Sequence, residues 1–85
     1  MQLLPTKPFE EDYDALSEEI KRLVDRKLAL LLQNPRHPSL RIKKMNDPRD
    51  IWEGRISRSY RFTFQIKAGF YMLRRIGAHD ILKTP

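Results

Sequence analysis

The stretch Tyr60-Arg61-Phe62-Thr63-Phe64-Gln65-Ile66, then Lys67-Ala68-Gly69, then Phe70-Tyr71-Met72-Leu73-Arg74-Arg75-Ile76-Gly77 decides how this chain folds. Its first part alternates with a period of two: Tyr60, Phe62, Phe64 and Ile66 point one way, Arg61, Thr63 and Gln65 the other. That is the pattern of a strand with one buried face. Lys67-Ala68-Gly69 is short enough for a hairpin turn, so residues 70–77 form an antiparallel neighbour. In that neighbour Arg74-Arg75 puts an arginine on each side, and Gly77 is read as a bulge that changes the parity.

Working towards the N-terminus, Ile51 to Ser57 reads as another strand, joined to Tyr60 through Ser57-Arg58-Ser59. Trp52, Gly54 and Ile56 take one face of it and Glu53, Arg55 and Ser57 the other. Leu40 to Met45 is a further strand, closed by the turn Asn46-Asp47-Pro48. Before it lies a loop fixed by two prolines, Asn34 to Ser39, and Gln2-Leu3-Leu4 forms a short first strand. Between them the period becomes helical. Pro8 suits a first turn, and Phe9, Tyr13 and Leu16 share a face. Ser17 caps a second helix, in which Ile20, Val24, Leu28, Leu31 and Leu32 make a stripe that ends near Gln33, before Asn34-Pro35. Helical stripe and sheet face each need a partner, so the expected fold is α+β: an N-terminal helical hairpin on one face of a four- or five-stranded, mainly antiparallel sheet.

All of this fits in one domain, residues 1–85. A chain of this size buries about 60–65% of its unfolded surface, and 40% apolar residues suffice for the core. With no cysteine there is no disulfide scaffold, no cysteine zinc site and no thiol nucleophile. The longest apolar run, Leu28 to Leu32, is too short to span a membrane, and the first residues lack the pattern of a signal peptide. A cytoplasmic protein is expected.

Charge is unevenly spread. Residues 1–25 carry three Lys/Arg and seven Asp/Glu, whereas residues 41–85 carry eleven and four, within a chain of net charge +6. A basic half points to a polyanionic partner, a nucleic acid or an acidic protein segment. The sequence holds no metal motif, no Gly-rich phosphate loop and no Ser-His-Asp pattern, so neither metal nor cofactor is expected. What stands out is a polar sheet face with Arg55, Arg61 and Glu53, Lys43 and Lys44 on an adjoining strand, and His79 just past the last strand. That set suits RNA cleavage by the 2′-hydroxyl, which needs a base, an acid, and cations to hold charge on phosphorus. Basic antiparallel sheets more often bind nucleic acid without cutting it.

The helical hairpin, Asn34-Pro35, Ile51-Trp52-Glu53-Gly54-Arg55-Ile56-Ser57, Tyr60-Arg61-Phe62-Thr63-Phe64 and Leu73-Arg74-Arg75-Ile76-Gly77-Ala78-His79-Asp80, in this order, resemble the RelE/ParE toxin superfamily of bacterial toxin–antitoxin systems. The likeness covers essentially the whole chain and is nearest to the RelE/YoeB-like mRNA interferases. It implies a microbial-ribonuclease-like fold, cleavage of mRNA in the ribosomal A site, and neutralisation by a cognate antitoxin through an acidic helix or tail. By position it implies that Arg61 binds phosphate, that Arg55 supports substrate or transition state, and that His79 stands where YoeB-like members carry a histidine acid. Glu53, where RelE proper has a lysine, is a candidate base, Lys43 and Lys44 are candidates to contact RNA, and Arg74 and Arg75 to contact RNA or an acidic antitoxin. Leu82 stands where many active members place a tyrosine. Two other functions fit the same residues: a ParE-like inhibitor of DNA gyrase, and a non-catalytic nucleic-acid or antitoxin-binding module.

Overall fold

Strand β1 (Gln2–Pro5) opens the chain, followed by helices α1 (Lys7–Asp14) and α2 (Glu18–Gln33) in a computed structural model that describes residues 1–85. Strands β2 (Lys43–Lys44), β3 (Trp52–Arg55), β4 (Tyr60–Lys67) and β5 (Phe70–Ala78) complete one five-stranded sheet in the order β1-β5-β4-β3-β2. All pairings are antiparallel except β1 with β5, which is parallel. The helices connect these two parallel strands' side of the sheet to its far edge, β2.

Local chemistry sets the element ends. The Thr6 side chain accepts from Phe9 N–H and the Ser17 side chain from Ile20 N–H, satisfying amides that helix starts leave open. Asn34 ends α2 ahead of Pro35, as the sequence predicts. The strand expected over 40–45 is shorter than its pattern. Pro38–Leu40 forms a 3₁₀ turn, Arg41 follows in the left-handed region at φ 45°, and only Lys43 and Lys44 join the ladder.

The alternation of β4 holds for Phe62 and Phe64, but Ile66 at the strand's end is exposed, and Thr63 and Gln65 on the other face are buried too. Phe62 and Phe64 are fully buried and stack 5.5 Å apart, and Tyr71 meets Phe64 edge-on. They pack with Val24, Leu28 and Leu31 from α2, Phe9 from α1, and Leu40, Ile56, Leu73 and Ile76. Burial of each such side chain contributes about 1.5–3 kcal/mol, which makes this layer the main source of stability. Gly54 lies opposite Phe62, where a Cβ would come within 2.4 Å of the ring.

The parity change in β5 falls at Arg74 instead of Gly77. Thr63 pairs with Arg75 and the next residue, Phe64, pairs with Leu73, so Arg74 is the extra residue. Two adjacent arginines cannot alternate into an apolar core, and the bulge lets both reach polar partners. Gly77 remains in register opposite Arg61, and its lack of a side chain leaves room for Ile81, whose Cγ2 is 2.8 Å from where a Cβ would be.

Candidate nucleic-acid interface

The sheet face turned away from the helices carries Arg61, Thr63 and Gln65 from β4 and Glu53 and Arg55 from β3. A 3₁₀ helix, His79–Lys83, and the residues after it fold back across part of this face. Arg74 Nε donates to the Pro85 carbonyl at 3.0 Å and its Nη1 to Gln65 Oε1 at 3.0 Å. Thr63 Oγ1 donates to the same Pro85 carbonyl at 3.1 Å. Arg75 reaches Asp12 of α1 (Nε to Oδ2, 2.6 Å) and the Thr84 carbonyl. Both arginines of the bulge therefore hold the C-terminal strap and α1 in place.

Beside the strap the face opens into a cleft of about 420 Å³, lined by Arg41, Ile42, Lys43, Glu53, Gly54, Arg55 and Arg61. Arg55 and Arg61 are register partners on adjacent strands. Like charges placed directly opposite destabilise a sheet, so their pairing sets the site apart from an ordinary solvated face. Both turn inwards to the β3–β4 connection. Arg61 Nη1 donates to the carbonyls of Ser57 (2.7 Å), Tyr60 (3.1 Å) and Arg58 (3.2 Å), and Arg55 Nε donates to Ser57 at 3.3 Å. These bonds orient the guanidinium groups and leave the Nη atoms of Arg55 and the Nε and Nη2 of Arg61 with no partner in the protein. Desolvation, then the charges of Arg41, Arg61 and Arg58, pull the Arg55 pKa below its usual value.

The single carboxylate in the cleft wall, Glu53, is already engaged. It is nearly buried and lies 3.2 Å from Lys43 Nζ, its partner across β2 and β3. Lys44 points to the opposite side of the ladder and pairs with Asp50 at 2.9 Å. Three guanidinium groups thus share the cleft without a carboxylate of their own, an arrangement suited to holding anionic oxygens.

The structure brings together Arg55, Arg61, Glu53 and Lys43 of the residues singled out from the sequence. His79 is exposed, its side chain makes no hydrogen bond, and it follows Ala78, whose partner is Tyr60; it stands at the same end of the sheet as the β3–β4 turn. Lys44, Arg74 and Arg75 lie outside the cleft. Sequence reasoning passed over Arg41, because a strand running from Leu40 hides the left-handed turn that places it there.

No protein-family profile matches the sequence, and no curated protein is significantly similar to it. Solved structures match over nearly its full length. YafQ from E. coli strain BL21(DE3) gives a TM-score of 0.78 at 12% identity, covering 94% of this chain and 94% of that one. A YoeB/ParE toxin from Agrobacterium tumefaciens gives 0.77 at 14%, covering 93% and 99%. A chain of the E. coli DinJ–YafQ toxin–antitoxin complex gives 0.77 at 10%, covering 94% and 93%. The likeness is one of fold, and on it this chain carries the RelE/YoeB-type toxin fold.

Proposed function

We propose that this protein is the toxin of a type II toxin–antitoxin module and inhibits translation by cutting mRNA on the ribosome. The observation that carries the proposal is the Arg55–Arg61 pair, two opposed guanidinium groups oriented by the hairpin and lacking any carboxylate partner. The fold shared with YafQ and with the YoeB/ParE toxin supports it.

In this mechanism the 2′-hydroxyl of one nucleotide attacks the adjacent phosphorus. Its proton passes to the Glu53 carboxylate, the 2′-O–P bond forms and the P–O5′ bond breaks. His79 gives a proton to the departing 5′-oxygen, and the product carries a 2′,3′-cyclic phosphate. Arg55 and Arg61 bind the non-bridging oxygens, where negative charge grows in the transition state. Glu53 takes up this role when substrate draws Lys43 towards phosphate. The partner in the resting state is a cognate antitoxin that presents an acidic helix or tail to the basic face; a relative of the same fold is known in complex with its antitoxin, DinJ–YafQ.

Brief induction in growing bacteria, with mapping of new mRNA 5′ ends, tests the proposal. Cuts in register with codons, absent in Arg61→Ala, are expected. Growth arrest without new ends would assign the protein to gyrase inhibition instead. Folded protein that causes neither would be a non-catalytic binding module.

A further inference from the structure

Three arginines border one cleft beside β2 and β3: Arg41, Arg55 and Arg61. Arg55 is the partner of Arg61. On the other side Lys43 pairs with Glu53, and the Ile42 side chain just before it reaches over Gly54, its Cδ1 2.9 Å from where a Cβ there would sit. Arg41, one residue further, lies off the ladder and still lines the cleft.

Arg41 is held there by its backbone. At φ 45° and ψ 47° it occupies a conformation that favours glycine or asparagine, and its N–H bonds to the Pro38 carbonyl. The turn behind it is rigid. Pro38 fixes one torsion, and His37 Nδ1 accepts from Ser39 N–H at 3.2 Å and lies 2.8 Å from Ser39 Oγ. The Arg41 side chain forms no salt bridge or hydrogen bond, yet it lines the cleft. Among the charges acting on Arg55, that of Arg41 ranks ahead of Arg61. A single phosphodiester would meet three guanidinium groups with one negative charge, leaving them largely uncompensated.

We propose that Arg41 is an anion-binding residue of this cleft, and that Arg41, Arg55 and Arg61 together hold two adjacent phosphates of a single-stranded polynucleotide. The inference rests on the reading of the cleft as a nucleic-acid site, and it is independent of whether the bound strand is cut.

The test uses deoxynucleotides, which lack the 2′-hydroxyl: TpT with one phosphodiester and TpTpT with two. Binding to wild type, Arg41→Gly and Arg41→Lys is followed by NMR at several salt concentrations. Glycine accepts the left-handed backbone, so the first variant keeps the fold, checked from its amide spectrum. Arg41→Gly should weaken TpTpT binding roughly tenfold, leave TpT nearly unchanged, and lower the slope of log K against log salt by about 0.7. Arg41→Lys should retain the slope. Equal TpTpT binding by wild type and Arg41→Gly, or no binding by wild type, would overturn the inference. So would a glutamate-rich peptide that depends on Arg41 when TpTpT does not, since that would assign the residue to a protein partner. Because nothing is cut in this assay, a wild type that binds through Arg41 but leaves mRNA intact would retain this inference and remove the ribonuclease.

Discussion

Arg61 serves the hairpin and the cleft at once. One of its nitrogens closes three carbonyls of the β3–β4 connection, and that contact fixes where the rest of the guanidinium points. A lysine could supply the charge but not both functions, because its ammonium is a point donor without a planar fork. Arg49 shows the contrasting case of a cation fully spoken for. Its Nε and Nη2 bond to Asp47 at 3.0 and 2.8 Å, and its backbone N–H bonds to the same carboxylate at 2.8 Å. The side-chain bonds first, then the backbone bond and the nearby positive charge, lower the Asp47 pKa from 3.8 to about 2. A depressed carboxyl stabilises the fold above its ordinary pKa, and the contribution is lost as pH falls from about 4 through 2. NMR titration should therefore place the Asp47 midpoint near 2, and Arg49→Ala should return it towards 3.8. A midpoint unmoved by the substitution would show that Arg49 is not the cause.

At the scale of elements, α1 is tied to the sheet by polar contacts as well as by Phe9. Asp12 accepts from Arg75 and also from Ile76 N–H, so it satisfies the edge of β5 beyond the point where β1 ends. Asp12→Ala should cost about 1–3 kcal/mol in chemical denaturation, and a cycle with Arg75→Ala should reveal coupling between the two. Additive losses would contradict the link. This contact was not legible in the sequence, since Asp12 is one acid among several in α1 and its partner is 63 residues away. The helices, the Ser17 cap and the β3–β4–β5 meander were legible, because each follows from a local period or a capping residue, whereas the Thr6 cap of α1 was not read. Two features were hidden because each breaks a period. Pairing with β4 decides where the bulge at Arg74 falls, and the Pro38–Leu40 turn sets the left-handed Arg41. The placing of Arg55, Arg61 and Glu53 on one face of the candidate site was legible from alternation alone; that Lys43, not Lys44, meets Glu53 followed only from the β2–β3 register.

Across the whole molecule the charges are unevenly spread. Acidic residues crowd the first 25 positions, which form β1, α1 and the start of α2, while Arg41, Arg55 and Arg61 gather in one cleft. No helix is long and apolar enough to cross a membrane. Such a cationic patch steers polyanions to one side of the protein and makes association salt-dependent. On the proposed function, this face cuts RNA with the Arg55–Arg61 pair at the reacting phosphate. Single-turnover cleavage of mRNA on programmed ribosomes, comparing wild type with Arg55→Gln and Arg61→Gln, checks this. Codon-registered cleavage by wild type, slowed roughly a hundredfold or more in each folded variant, is the predicted result. Variants that cut at the wild-type rate, or a folded wild type that leaves the message intact, would contradict it.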